Sequence, residues 1–231
     1  MRSLSVAVAQ PECLARDAAA NARAHAEAVL AADARVVVFP EMSLTGYELD
    51  AAPVAPDDSR LRPISEACAR TGALALVGAP VPGPRIGVLA VGEDGARVAY
   101  GKVHLHPSEA RYFVPGEHAV LDVDGWRLGL AVCRDTGIPE HAARTASLGI
   151  DGYVAGVLDA DHEAELHGER ARRVAAEHGV WVARAAFAGP TGGGFDRTSG
   201  RSGVWSASGE LLAEASAEPG DLARAVLTSG S

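Results

Sequence analysis

Short apolar segments alternate with longer, helix-like segments along this chain of 231 residues. The run "RVVVFP" at Arg35–Pro40 is apolar without alternation, which is typical of a strand buried on both faces. The Ala-rich stretch Cys13–Ala32 contains no helix-breaking residue and predicts a helix. Further strands are predicted at Ser5–Gln10, Ala73–Gly78, Gly152–Val154 and Val180–Ala186, and further helices at Arg62–Arg70, Pro139–Leu148 and Glu163–His178.

Hairpins are predicted where turn residues separate two β-type segments. The turn "GEDG" joins Val88–Val91 to Arg97–Tyr100, "DG" joins Val120–Val123 to Trp126–Val132, and "ASGE" joins Ser202–Trp205 to Glu210–Ala215. Because buried strands of parallel type occur together with hairpins, we expect a mixed sheet or two stacked sheets with helices outside. The whole chain, residues 1–231, is expected to form a single α/β domain.

The composition is that of a soluble globular protein, with 48% hydrophobic and 22% charged residues. A net charge of −9 argues against binding to nucleic acid, and no apolar run approaches the roughly 18 residues of a membrane span. The three cysteines are odd in number and widely spaced, so a disulfide framework is not expected. These features fit a protein of the reducing cytoplasm.

The segment "AYGKVHLH" contains the single lysine of the chain, Lys102, beside 20 arginines elsewhere. An ammonium is a compact point charge with a tunable pKa, whereas a guanidinium is a wide planar fork that stays charged. A site built around one developing negative charge could need the ammonium. The simpler alternative is that Lys102 survives by chance, and the rest of the chain has to decide between the two.

Two more chemically reactive side chains follow predicted strands, as Lys102 does. Glu41 comes directly after the buried strand and its proline, and Cys133 ends an apolar strand before a helix that begins with proline. Each has a simpler interpretation, a loop carboxylate for Glu41 and a small buried hydrophobe for Cys133. We accept that interpretation for Cys13 and Cys68, which lie within helical patterns. Helical N–H groups near Cys133 are expected to favour its thiolate.

Three ordered motifs resemble the carbon–nitrogen hydrolase family, the nitrilase superfamily, whose members use a Glu–Lys–Cys set. The segment "VVVFPEMSLTGY" resembles the family's Glu-bearing segment, "YGKVHL" its Lys-bearing segment, and "AVCRDTGIPEHAAR" followed by "GID" its Cys-bearing segment. The segment "EARYFVPGE" resembles the element with a second glutamate, which assigns that role to Glu109. The resemblance covers nearly the whole chain.

The resemblance implies a four-layer α-β-β-α sandwich that hydrolyses a non-peptide C–N bond, most simply the amide of a small molecule. Cys133 would be the nucleophile, Glu41 the proton carrier, Lys102 an oxyanion donor and Glu109 the group that orients Lys102. The resemblance implies no metal or organic cofactor. It does imply a homodimer or a higher homo-oligomer. Cleavage of N-carbamoyl groups or nitriles stays open, as does a catalytically silent binding protein on the same scaffold.

Candidate substrate contacts lie beside these motifs. Arg134 follows the cysteine, Arg111 lies two residues after Glu109, and Tyr47 closes the Glu-bearing segment. Because an arginine fork matches a carboxylate, two arginines predict a substrate with an acid group. The acidic stretch "DADHEAE" is a competing observation, since it would repel an acid.

Two further signals are weaker. His104 and His106 have the spacing of a metal pair but lack matching ligands elsewhere in the sequence. The Gly-rich segment 188–203 predicts a mobile loop near the active site or a subunit boundary.

Overall fold

The computed structural model describes residues 2–228, so the outer limits of the predicted domain, residues 1 and 231, lie outside the described residues. The strands are β1 (Ser3–Ala9), β2 (Val36–Val38), β3 (Leu74–Val81), β4 (Arg85–Gly92), β5 (Gly95–Gly101), β6 (Val120–Val123), β7 (Trp126–Val132), β8 (Gly152–Val157), β9 (Trp181–Ala186), β10 (Gly203–Trp205), β11 (Leu211–Glu214) and β12 (Leu222–Thr228). The helices are α1 (Ala18–Ala32), α2 (Arg62–Thr71), α3 (Pro139–Ala146) and α4 (Ala164–His178).

The strands form two six-stranded mixed sheets. The first has the order β12-β1-β2-β3-β4-β5. Its strands β1, β2 and β3 are parallel to one another, and the strands that flank them on both sides pair antiparallel. The second has the order β11-β10-β9-β8-β7-β6, with β7, β8 and β9 parallel. Each sheet therefore has three parallel strands at its centre, and their carboxyl ends lie on the same side of the sheet. In α/β proteins, ligands bind at that side.

Alternating side chains of the central strands fill two different cores. In β2, Val36 and Val38 pack between the two sheets, whereas Val37 packs against the layer of α1 and α2. In β9, Ala183 packs between the sheets and Val182 packs toward α4. The layers are therefore helices, sheet, sheet, helices, and the predicted α-β-β-α sandwich is confirmed. None of the helices within residues 2–228 is long and apolar enough to cross a membrane.

The structure corrects the start of the first predicted helix. The helix begins at Ala18 rather than at Cys13, because the side chain of Asp17 caps it by accepting from the N–H of Ala20 at 2.9 Å. Cys13 consequently lies before the helix, although it is buried as expected.

The last strand, β12, was not predicted from the sequence. Its residues alternate only weakly between buried and exposed positions, and it becomes a strand by pairing antiparallel with β1 at the other end of the chain. Tertiary pairing, rather than local pattern, creates this strand.

Candidate active site

Three strand ends position the candidate catalytic side chains. Glu41 lies shortly after β2, Lys102 directly after β5 and Cys133 directly after β7. The Nζ atom of Lys102 donates to Oε1 of Glu41 and to Oε1 of Glu109, both at 2.7 Å. The three charged side chains are each 1% exposed. Their mutual pairing stabilises charges that burial alone would disfavour.

Two glycines let the chain before Glu41 pass close to both sheets. A Cβ atom at Gly78 in β3 would lie 2.1 Å from the carbonyl oxygen of Pro40. A Cβ atom at Gly156 in β8 would lie 2.5 Å from the carbonyl oxygen of Phe39. Any larger residue at either position would displace the turn that carries Glu41.

Cys133 occupies a sharp junction between β7 and the short helical turn 133–137. Its backbone φ is +42°, in the left-handed region, where a non-glycine residue is strained by about 1–3 kcal/mol. The thiol Sγ donates to the carbonyl oxygen of Leu158, just beyond β8, at 3.4 Å. The structure therefore places the thiol at the strand-to-helix junction that the sequence indicated.

Glu109 is held by donors on both carboxylate oxygens. Besides Lys102, the hydroxyl of Tyr47 donates to Oε1 at 2.5 Å, and the backbone N–H of His106 donates to Oε2 at 2.7 Å. Tyr47 is half-buried and also lines the cavity described below. The sequence indicated Tyr47 as a substrate contact, and the structure adds that it fixes Glu109.

The pKa values of Glu41 and Lys102 give the carboxyl group and the ammonium group different roles. Burial raises the pKa of Glu41 to about 7, against the opposing charge of Lys102. Burial acts to lower the pKa of Lys102, but the negative charges of the carboxylates of Glu41 and Glu109 outweigh it, so that this pKa is raised. The lysine therefore stays an ammonium, whereas Glu41 can take up and return a proton near neutral pH.

The thiol of Cys133 is neutral at rest. Burial and the neighbouring Glu41 raise its pKa well above the ordinary value, against the opposing effect of Lys102. The expectation that helical N–H groups favour the thiolate is therefore wrong, because burial dominates. Oε2 of Glu41 is buried and has no hydrogen-bond partner within residues 2–228. A thiol that needs a base thus lies beside a carboxyl group with an unpaired oxygen.

A cavity of about 420 Å³ is lined by Glu41, Lys102, Glu109 and Cys133, among others. This volume suits a small molecule. The apolar part of its lining includes Leu49, Leu158 and Phe195, which sequence reasoning missed. Phe195 and Gly193 belong to the Gly-rich segment 188–203, so the loop contributes directly to the cavity wall.

The two arginines that the sequence indicated as substrate contacts are not equivalent. Arg134 lines the cavity, whereas Arg111 is exposed and is not among the lining residues. The short helical turn 109–111 buries Glu109, and at about three residues per turn it directs Arg111, two residues on, to a different side. The expectation that Arg111 contacts the substrate is therefore not supported by the structure.

Two carboxylates in the cavity wall oppose Arg134. Glu163, from the acidic stretch that competed with the arginines in the sequence, lines the cavity together with Glu48. Glu48 shares the guanidinium of Arg16 with Asp50, each at 2.7 Å, so its charge is only partly offset. A charged group of either sign on a substrate would therefore meet a like charge in the wall, Glu163 for an acid and Arg134 for an amine.

The histidines His104 and His106 do not act as a pair. The Nδ1 atom of His104 lies 3.0 Å from Oδ1 of Asp135, whereas His106 contacts the hydroxyl of Ser108 at 2.7 Å. Within residues 2–228, His104, Asp135 and His141 bring potential ligand atoms within 4.8 Å of one another. These atoms are already engaged in a hydrogen-bond network, which is described below.

His25 supports the Glu41 segment from α1. Its Nε2 atom lies 2.8 Å from the hydroxyl of Ser43, its Nδ1 atom lies 2.6 Å from the carbonyl oxygen of Asn21, and its ring packs on Phe39. Burial lowers the pKa of His25 from 6.5 to about 4. The folded protein therefore binds fewer protons than the unfolded chain between these pH values.

This lowered pKa predicts acid sensitivity. The stabilisation from neutral His25 is present above pH 6.5 and is lost as the pH falls toward 4, by about 3 kcal/mol. Urea unfolding of wild type and His25→Gln should give free energies whose difference shrinks by about that amount over this range. A difference that stays constant with pH would contradict the assignment.

The chain is similar to a known protein family and to two curated proteins, and these similarities are consistent with the geometry of the candidate active site. The family model "Carbon-nitrogen hydrolase" matches residues 5–230. The Pseudomonas protegens protein "Hydrolase in pqqF 5'region" is 30% identical over 209 residues, which are 82% of this chain and 71% of that protein. An (R)-stereoselective amidase from Pseudomonas sp is 30% identical over 151 residues, which are 62% of this chain and 55% of that enzyme.

Solved structures agree with this match. A structure of the amidase from Nesterenkonia sp. AN1 superimposes with a TM-score of 0.85 and 26% identity, and the match covers 98% of this chain and 94% of that one. Saccharomyces cerevisiae Nit3, a member of branch 10 of the nitrilase superfamily, shares the fold with a TM-score of 0.85 at 23% identity, over 99% of this chain and 91% of that one. The chain belongs to the carbon-nitrogen hydrolase family.

Proposed function

We propose that this amidase-type hydrolase cleaves the amide bond of small, uncharged carboxamides through a thioester on Cys133. The observation that carries the proposal is the buried Lys102 ammonium, which bridges Glu41 and Glu109 at 2.7 Å in a cavity that Cys133 also lines. Thiol, base and cation thus lie together, and within residues 2–228 the thiol donates to the carbonyl oxygen of Leu158 and to no histidine. A solved structure of the Nesterenkonia amidase contains butyramide, a small uncharged amide.

The first half of the reaction forms the thioester. Glu41 takes the proton of the Cys133 thiol, and the sulfur attacks the carbonyl carbon. Lys102 and the backbone N–H of Arg134 stabilise the oxyanion of the tetrahedral intermediate. Glu41 then gives the proton to the nitrogen, the C–N bond breaks, and ammonia or an amine leaves.

The second half of the reaction hydrolyses the thioester. Water loses a proton to Glu41 and attacks the acyl carbon, the C–S bond breaks, and Glu41 returns the proton to the sulfur. The products are a carboxylic acid and the regenerated thiol. Glu109, held by Tyr47 and Lys102, keeps the ammonium in place through both halves.

The substrate class is tested with three amides that share a propionamide unit. Butyramide is uncharged, succinamic acid ends in a carboxylate, and β-alaninamide ends in an ammonium group. Because a charged group of either sign would meet a like charge in the wall, Glu163 or Arg134, we expect kcat/KM to be highest for butyramide, measured as release of ammonia. A preference for succinamic acid would instead show that Arg134 reads an acid group.

The alternative reactions are tested in the same assay. N-carbamoyl-β-alanine and butyronitrile replace the amide, and the acid or amine product is identified by chromatography. Turnover of either compound in preference to all amides would contradict the proposed reaction. Binding of the amides without ammonia release would indicate a silent binding protein.

A further inference from the structure

A buried hydrogen-bond network behind the candidate active site is built around Asp135. Oδ2 of Asp135 accepts from the backbone N–H of Val132 at 3.0 Å and from the hydroxyl of Tyr100 at 2.7 Å. Oδ1 accepts from the backbone N–H of His104 at 2.8 Å. Val132 immediately precedes Cys133, and Tyr100 and His104 flank the lysine segment. One buried carboxylate therefore ties the strand end of the thiol to the strand end of the ammonium.

The network continues from Asp135 to α3, and the donor and acceptor of each hydrogen bond along it can be assigned. The Asp135 carboxylate can only accept, so the hydroxyl of Tyr100 donates to it. The oxygen of Tyr100 must then accept from Nε2–H of His141, at 2.9 Å. This leaves Nδ1 of His141 as an acceptor for the hydroxyl of Tyr153, also at 2.9 Å. Every proton in this chain of hydrogen bonds therefore has an assigned position.

His141 is neutral in this arrangement. It is fully buried, and burial lowers its pKa from 6.5 to about 4. Two other imidazoles surround it: the ring of His118 lies 4.6 Å away and that of His104 5.5 Å away, centre to centre. His118 contacts the hydroxyl of Thr145 through Nδ1 at 3.0 Å, and no hydrogen bond joins it to Tyr100 within residues 2–228.

We propose that His141 is a positioning residue, which acts through Tyr100 and Asp135 to hold Cys133 and Lys102 in register. By donating to Tyr100, His141 fixes the position of the phenol oxygen, whose hydroxyl donates to Asp135. Asp135 in turn holds the backbone at the strained Cys133 junction and the segment that follows Lys102. Without His141, the oxygen of Tyr100 loses its imidazole donor, and the hydrogen bond from Tyr100 to Asp135 is held less firmly in place.

The proposal predicts an effect on turnover and not on substrate affinity. His141→Leu removes the donor, and we expect kcat for butyramide to fall on the order of tenfold to a hundredfold, with KM within about threefold of wild type, because a small misplacement of reacting groups is costly. His141→Gln keeps an N–H at about the position of Nε2 and should restore most of kcat. His118→Leu removes a neighbouring imidazole that does not contact Tyr100 and should leave kcat unchanged.

A second variant covers the case in which His141→Leu does not fold. Tyr100→Phe removes a single oxygen atom and should show the same loss of kcat. The double variant with His141→Gln should be no worse than Tyr100→Phe alone, since both act through one hydroxyl. Wild-type kcat in folded His141→Leu or in Tyr100→Phe overturns the proposal, and so does an equal loss in His118→Leu.

The measurement of kcat rests on the proposed amide hydrolysis. A second measurement, the rate at which Cys133 is alkylated, does not depend on that proposal. The rate at which iodoacetamide alkylates Cys133, followed by peptide mass spectrometry, reports the thiol's position and base without depending on hydrolysis of an amide bond, because the sulfur displaces iodide at the methylene carbon. We expect this rate to fall in His141→Leu and to recover in His141→Gln. If wild type fails to hydrolyse amides, the proposed function fails, and the alkylation rates alone decide the role of His141.

Discussion

Cys133→Ala should lower kcat/KM for butyramide by about 10⁴-fold or more, because it removes the sulfur atom of the proposed thioester intermediate. The fold should be unaffected, since alanine has a similar size and adopts the positive φ at 133 no less readily than cysteine does. Ammonia release measures the loss, and circular dichroism checks the fold.

The other two cysteines provide matched controls. Cys13 and Cys68 are buried away from the cavity lining, and burial raises the pKa of both, to about 11 for Cys13. Cys13→Ala and Cys68→Ala should keep near-normal turnover. Iodoacetamide should modify Cys133 before either of them, because Cys133 is only half-buried and shares the cavity with the base Glu41. Substantial turnover in Cys133→Ala, or faster alkylation of Cys13, would exclude Cys133 as the nucleophile.

Lys102→Arg should lower kcat by about 10²–10³-fold while the protein stays folded. The side chain is 1% exposed, and its Nζ atom fits between two carboxylates at 2.7 Å each. A guanidinium keeps the charge, but its planar fork is too wide for this position and overpacks it. The oxyanion would then lose its donor although the net charge is unchanged.

An exposed position on β5, the strand that precedes Lys102, tests whether an exchange between lysine and arginine matters in itself. Arg97 lies on β5 and is exposed, so Arg97→Lys should leave both kcat and the melting temperature near wild type. If Lys102→Arg is equally harmless, the single lysine of the chain has no chemical role and its retention is chance. The contrast between the two variants decides the question that the arginine-rich composition raises.

The sequence was most informative where chemistry and strand ends coincide. Glu41 and Cys133 each follow an apolar strand of the parallel centre of a sheet. Lys102 follows the hairpin strand β5, which runs in the same direction as β2 and therefore ends on the same side of that sheet. The family motifs added Glu109, whose role could not be read from spacing. The distances among these groups required the packed sheets, since β2 and β5 belong to one sheet and β7 to the other.

Long-range contacts explain what the sequence did not show. Strand β12 depends on β1, from which it is separated by most of the chain. The cavity residues Leu49, Leu158 and Phe195 come from segments without a shared motif. Their positions follow from how loops fold over the strand ends, which local pattern does not encode.

The charge state of the thiol was predicted wrongly for a related reason. A strand-to-helix junction suggests a lowered pKa for Cys133, but the degree of burial and the position of Glu41 are tertiary properties, and they raise it. Arg111 shows the same limit. Its distance along the chain from Glu109 says nothing of which side of a short helical turn it occupies.

The central claim is that the acyl group passes through Cys133, and trapping the intermediate tests it most directly. Wild-type protein is quenched with acid during butyramide turnover and digested, and its peptides are analysed by mass spectrometry, with a parallel reaction in hydroxylamine. We predict one butyryl group on the peptide that contains Cys133, butyrohydroxamic acid in the parallel reaction, and neither in Cys133→Ala. A butyryl group on another residue, or hydroxamic acid formed by Cys133→Ala, would contradict the account.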